Sequence, residues 1–487
     1  MNRRTINKNI EMLIAVLGFI LFFLVNRTFL IVPYILIVII CMSQEKYSRS
    51  PMIFFVIPWT FMFVMYISGF ITYSQDRAEP VAVAYLVVGC LLIWGGYRFS
   101  LKTRDRIPRF YDISEESQDE NDNAHNLRVI LDLCAVLGLL GSLLFVAEMI
   151  FVTGIDISSL SMARDAYVSR EVTVLSQIGN MLSWGSIFVL PAIVLFGSKA
   201  KKSERMLWIL AVVVYSLYSV LSAGRQVVFQ ILIMTVSAFI LKRATLESSK
   251  SHKSKKQNRK SFVILVLVVS LILGYCLQVA SDRNNGGISD SKLEVLSFYT
   301  GCELDPKVKV LYDMLPSGVN DGIAEAFVYY THEITGFKIF WNIDESIGPF
   351  MGLYSAPFLD RRVASLGLTS YSVDQKMEYV RAYMRNNGAM PVGWKTCFSF
   401  FILDYGRIGG LLYCILYGFY VGYVYKNFKK KRSVLSGIWL ARVNVGLFYT
   451  VMFPATCETG LLLMGLFCMV MNFWENRNRS LRYIMRS

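Results

Sequence analysis

Apolar residues run along this chain in long blocks broken by short polar stretches. The block from Ser261 to Ser281 (SFVILVLVVSLILGYCLQVAS) holds no charge and, as a helix, is long enough to cross about 30 Å of hydrocarbon. A lipid-exposed strand would leave its backbone groups unpaired, so a helix is the expected element. The same test gives candidate spans near 10–25, 28–43, 51–72, 80–97, 129–152, 173–197, 206–222, 225–241, 261–281, 396–425, 435–453 and 456–474. Met1 to Val25 has Arg3, Arg4 and Lys8 ahead of an apolar stretch, in the manner of a signal peptide. No small-residue cleavage site follows and a second apolar run begins at once, so it reads as an uncleaved first span.

The pattern predicts an all-α fold: a polytopic transmembrane helical bundle of about twelve spans with one large extracytoplasmic loop of short helices. Residues 1–281 hold spans one to nine, with cytoplasmic linkers at 98–128 and 242–260. Residues 282–394 form the outer loop, 395–474 the last three spans and 475–487 a cytoplasmic tail. Within the linkers, Ser114 to Asn126 is acidic and polar, and Glu247 to Lys260 is basic and polar. Neither buries enough apolar surface to order itself. The loop carries turn signals at Asn284–Gly287, Pro316–Gly318 and Asn386–Gly388 together with amphipathic stretches, so it is expected to be ordered.

Composition agrees with this class. Hydrophobic residues make up 54% of the chain and charged residues 17%, against about 25% charged in soluble domains. The net charge of +15 would suit a nucleic-acid partner, but its placement excludes one. Lys and Arg gather on alternate connections: the N-terminus, Lys46 and Arg49, Arg98 to Arg109, Lys199 to Arg205, Lys242 to Lys260, Lys426 to Arg432, and the tail. This positive-inside pattern puts both termini in the cytoplasm of a multi-pass protein of the cytoplasmic (inner) membrane, with anionic lipids as the partners of the basic runs. Seven of the nine cysteines sit in or beside apolar runs as small hydrophobes. Cys302 and Cys397 flank the outer loop, where a disulfide or two free thiols are both open readings. No Cys or His spacing fits a metal, and no Walker loop, nucleophile elbow or HExxH is present.

Charges at the outer edge of apolar runs are costly and mark candidate sites. Arg225 lies in Leu-Ser-Ala-Gly-Arg-Gln between two spans with almost no connecting loop; it is either an interfacial side chain or an anion ligand. Asp404-Tyr-Gly-Arg-Ile-Gly-Gly410 interrupts the run after Lys395. A helix there would put Asp404 and Arg407 on one face, as a structural ion pair or as groups oriented at the mouth of the bundle. Gly406, Gly409 and Gly410 permit a break or close packing. In the loop, Asp360-Arg361-Arg362, Arg381, Arg385 and Lys395 are either solvated charge or a diphosphate site, since paired guanidinium forks match phosphate oxygens. Arg164 and Arg170 add to the same side. His332 is the one histidine expected outside. It is a packing residue or a general base, with Glu333, Glu325 and Asp404 as rival bases. Asp132, Glu148, Arg442 and Glu458 lie within or near spans and need partners.

Taken together, these residues give the chain a resemblance to the O-antigen polymerase (Wzy-type) family of oligosaccharide repeat-unit polymerases. The likeness rests on the many spans with one large outer loop before the last three and on the turn Ser222-Ala-Gly-Arg225. It also rests on the Arg-containing stretch Ser161-Met-Ala-Arg164-Asp-Ala-Tyr167 and on Phe398 to Gly422 (FSFFILDYGRIGGLLYCILYGFYVG). Arg381 to Gly393 and Arg164 to Gly179 approximate the family's Arg-to-Gly spacing in outer loops. The resemblance implies a glycosyltransferase that polymerises polyprenyl-diphosphate-linked oligosaccharide. Arg225, His332, Asp404 and Arg407 would serve catalysis, and Arg164, Arg361, Arg362, Arg381 and Arg385 would bind the diphosphate. No cofactor and no metal is expected; a chain-length regulator and a flippase are the implied protein partners. An O-antigen ligase shares the plan. A polysaccharide flippase or other transporter would call for a charged cavity along the membrane midplane, whereas most unpaired charges lie at the outer edge.

Overall fold

The computed structural model describes residues 50–74, 79–103, 119–154, 173–197, 200–221, 226–246, 274, 292–343, 347–369, 372–389 and 395–486. The candidate spans 10–25 and 28–43, nearly all of 261–281, residues 104–118 of the first linker and 247–260 of the second lie outside them. Fourteen α-helices are described. They begin with α1 (Ile53–Ser68), α2 (Pro80–Lys102), α3 (Asp119–Ala147), α4 (Val174–Phe196), α5 (Lys202–Leu221) and α6 (Gln226–Leu246). Next come α7 (Lys292–Thr300), α8 (Pro306–Asp313), α9 (Ser317–Trp341), α10 (Pro357–Ser365) and α11 (Val373–Asn386). The last are α12 (Thr396–Lys431), α13 (Val434–Tyr449) and α14 (Thr459–Arg486). Strands β1 (Ile71–Tyr73) and β2 (Cys302–Leu304) pair antiparallel. Five helices are long and apolar enough to cross a membrane: Pro80–Lys102, His125–Val152, Val174–Phe196, Gln226–Arg243 and Thr396–Lys431.

The chain divides into two units. The first holds α1, α2, both strands, α7 to α11, most of α12 and the segment Gly446–Cys457. α1 buries Phe55, Trp59, Met62 and Phe63 on one stripe and stops at Gly69, whose φ of 67° suits a residue without Cβ. The Trp59 indole donates to Thr450 Oγ1 at 2.8 Å, and Cys397 N donates to Thr450 O at 2.9 Å. α2 and α12 pack with backbones in contact: a Cβ at Gly96 would strike Ile415 O, and one at Gly418 would strike Ile93 O. Residues 282–394, expected to be a loop of short helices, are only partly that. α9 runs 25 residues, and Thr331 to Phe340 are buried without interruption, as expected of a helix enclosed on every side. Cys302 and Cys397 are both free thiols.

α12 is not one rod. Gly406 has φ 73° and ψ 172°, a conformation for glycine, and the chain reverses there. The rings of Phe401 and Tyr413 lie 4.7 Å apart and those of Tyr405 and Tyr413 stack at 4.9 Å. On a straight helix, residues 401 and 413 would be about 18 Å apart. Residues 396–405 therefore fold back as a short arm along the longer arm 407–431.

The second unit holds α3 to α6, the end of α12, most of α13, and α14. α3 begins at Asp119, inside the segment expected to be disordered, and continues through a π-helical turn, Glu148–Val152. α3 and α4 approach through Gly138, Gly141, Gly179 and Gly185. The four charged residues that the sequence left without partners find them here. Trp208 donates to Asp132 at 2.7 Å, Thr173 to Glu148 at 3.4 Å, Gln226 to Glu458, and Arg442 Nε to Leu461 O at 3.0 Å. α14 runs to Arg486, so most of the expected tail is helical.

Candidate active site

The first unit brings His332, Asp404 and Arg407 to the two ends of the short arm 396–405. At its start, α9 delivers His332 and Glu333. Glu333 Oε2 accepts a hydrogen bond from Thr396 N at 3.0 Å, which places a carboxylate at the N-terminus of α12. Lys395, immediately before, is buried, 7% exposed. Gly336 follows His332 by one turn. A Cβ there would lie 3.6 Å from His332 Cε1 and 3.9 Å from Lys395 Cγ, so the imidazole and the lysine stem run side by side over this glycine. The Tyr73 ring meets the imidazole edge-on at 5.5 Å. His332 Nε2 is buried and has no hydrogen-bond partner among the described residues.

Burial sets the charge states of this cluster. It pushes His332 down to about 4, with help from the nearby Lys395 ammonium, so the imidazole is neutral. Burial also lowers Lys395 to about 8; Glu333 opposes that shift and Arg381 adds to it. Glu333 is raised by burial, against the pull of the Thr396 amide and Lys395. The cluster thus sets an uncharged imidazole beside a lysine that keeps its proton to about pH 8.

The tip of the short arm behaves differently. Asp404 Oδ1 accepts from Tyr354 N and Oδ2 from Ser355 N, both at 2.9 Å. Phe350 N and Met351 N bond to the carbonyls of Leu403 and Asp404. The carboxylate thus straps the 350–355 segment to the arm. The reversal at Gly406 also separates Asp404 from Arg407, so the pair that a spacing of three allows on a helix does not share a face. Arg407 donates to Trp341 O at 2.8 Å and stacks over the Trp341 indole at 4.3 Å.

The loop arginines do not converge with the cluster as a group. Arg381 bonds Glu378 at 3.3 Å and acts on Lys395 through its charge. Arg385 and Arg361 are exposed; Arg362 is exposed and lies over Phe358 at 5.4 Å. The neighbouring Asp360 is buried and accepts from Val373 N at the start of α11. Arg164, Arg170 and Arg225 lie outside the described residues. Tyr73 is the addition that the sequence did not single out; Lys395 was named with the loop arginines, not beside His332. Among the described residues no group of His, Cys, Asp and Glu could hold a metal ion.

Comparison with models of protein families, with curated proteins and with solved structures returns no match.

Proposed function

We propose that this chain is a glycosyltransferase of the cytoplasmic membrane. It joins polyprenyl-diphosphate-linked oligosaccharide repeat units into a surface polysaccharide (O-antigen, capsule or exopolysaccharide) at the outer face. The observation that carries the reading is His332: a buried, neutral imidazole with an unpartnered Nε2 among the described residues, beside the Lys395 ammonium. The five apolar helices and the positive-inside pattern support it.

In this reading His332 Nε2 takes the proton of an acceptor hydroxyl as its oxygen bonds to the anomeric carbon of the growing glycan. The bond from that carbon to the diphosphate oxygen breaks, and the lipid diphosphate leaves with the electron pair. Lys395, with Arg381 beyond it, lowers the cost of the charge that develops. Arg225 would hold the diphosphate, since a guanidinium keeps its charge in a dry site. Both termini lie in the cytoplasm, and about twelve spans cross the membrane.

A deletion strain carrying the wild-type gene or Arg225→Ala tests this. The variant is expected to make single repeat units and no long chains at unchanged protein level. Long polymer retained on polyprenyl lipid in the deletion would make the chain a ligase. Single units held on the cytoplasmic side would make it a transporter.

A further inference from the structure

The longer arm of α12 begins at Arg407, and its apolar stretch is closed by Lys426. Between those residues a helix rises about 28 Å, close to the thickness of a bilayer's hydrocarbon. Ile408, Leu412 and Leu416 make an exposed apolar stripe along it. α2 starts at the same level, since the Tyr85 hydroxyl donates to Arg407 O at 2.8 Å. Two helices long and apolar enough to cross a membrane thus have neighbouring ends here. α10 hangs from the same point. Asp404 holds the amides of Tyr354 and Ser355, and α10 starts two residues later, at Pro357. A helix of 9 residues is only about 13 Å long, so all of α10 stays near the ends of those two helices. It turns its acid inward and its leucines outward, the reverse of a helix bathed in water. Asp360 is buried on Val373 N, whereas Leu359 and the C-cap Leu366, on one face, are exposed. Leu366 is 72% exposed and Leu368, beyond the turn at Gly367, 71%. Arg361 and Arg362 are exposed beside them, so the outward charge of α10 is wholly positive.

We propose that α10 and the turn after it, residues 357–368, rest on the membrane surface at this end, with the leucines among the acyl chains and Arg361 at the phosphates of anionic phospholipid. Single exposed leucines need no partner, but three so close in sequence, beside the ends of two apolar helices, make a patch that does. Lipid is the occupant for two reasons. The segment is tied through Asp404 to the place where those helices end, and leucines mixed with basic side chains suit the boundary between acyl chains and headgroups. A second copy of the chain or a separate protein would require neither feature. Arg362 stays over Phe358 and keeps to the flank of the helix. The inference does not depend on the reaction proposed above.

The test puts a fluorescent dansylalanine in place of Leu366 in the full chain, reconstituted into nanodiscs of phosphatidylglycerol or of phosphatidylcholine. A lipid with a nitroxide near its glycerol quenches from the membrane, and acrylamide quenches from water. In phosphatidylglycerol the nitroxide lipid is expected to cut emission at least about two-fold, with acrylamide having little effect. Quenching by the nitroxide lipid should weaken in phosphatidylcholine, and Arg361→Gln should make the two bilayers alike. A label quenched by acrylamide and not by the nitroxide lipid would overturn the proposal. So would a label shielded from both, which is the mark of a protein partner or a second copy. Equal quenching in the two bilayers with Arg361 in place would overturn the assignment to anionic lipid. The label replaces an exposed side chain, so the fold is left intact. No product is measured, so failure here is distinct from failure of the proposed reaction.

Discussion

The two ends of the arm 396–405 use similar residue types for opposite ends. At its start, His332, Glu333 and Lys395 are buried together, and one polar atom, His332 Nε2, has no partner among the described residues. At its tip, Asp404 gives both oxygens to main-chain amides. A satisfied carboxylate is cheap to keep and rigidifies the backbone around it. A buried imidazole with an open nitrogen costs stability and is retained where something else is gained, which is how reactive groups commonly stand out. Burial alone does not distinguish the two ends; the state of their hydrogen bonds does.

The sharpest way to break this contrast is His332→Gln. It should lower polymer formation by about 10²–10⁴-fold, the range for loss of a general base, with the protein folded as judged by its melting temperature. If Asp404→Asn cost more turnover than His332→Gln, the roles assigned to the two ends would be reversed. The pH profile sharpens the contrast next. His332 carries a proton only below about 4, so activity should rise through that value as pH rises. Lys395 loses its proton above about 8, so activity should fall there. Lys395→Arg should remove the alkaline limb, because a guanidinium stays charged, and leave the acid limb.

Smaller effects belong to the tip. Gly406→Ala places a Cβ where φ is 73°, at a cost of about 1–3 kcal/mol, visible as a lower melting temperature. Asp404→Asn keeps one carbonyl acceptor but turns the other oxygen into a donor facing an amide. A loss of about 1–3 kcal/mol is expected, again read by melting. Gly336→Ala should be nearly silent in stability, since its new methyl group would meet His332 and Lys395 at ordinary contact distances.

Much of the helical plan was legible because a membrane-length apolar run has few alternatives. The expected spans 80–97 and 173–197 coincide with helices long and apolar enough to cross, whereas the run expected as the span 396–425 breaks at Gly406. The fold-back of α12 was legible only as permission. Gly406, Gly409 and Gly410 announce that the backbone is free to bend, but residues on both sides of Gly406 are equally apolar, and hydropathy carries no direction. The cluster around His332 was half legible. A lone outer histidine drew attention, whereas its neighbours Tyr73 and Lys395 come from positions some 260 and 60 residues away, a proximity that no local pattern records. Partners for Asp132, Glu148, Arg442 and Glu458 were hidden for the same reason.

The small sheet carries a consequence for how the chain is made. Ile71 pairs with Leu304, and roughly 230 residues of synthesis separate them. At about 5–20 residues per second, β1 waits roughly 10–50 s for its partner. Through that interval its amides and carbonyls need water, so this stretch must emerge into an aqueous space and stay there while the intervening helices are inserted. A three-residue strand is a poor template for a wrong neighbour. Its shortness makes so long a delay tolerable.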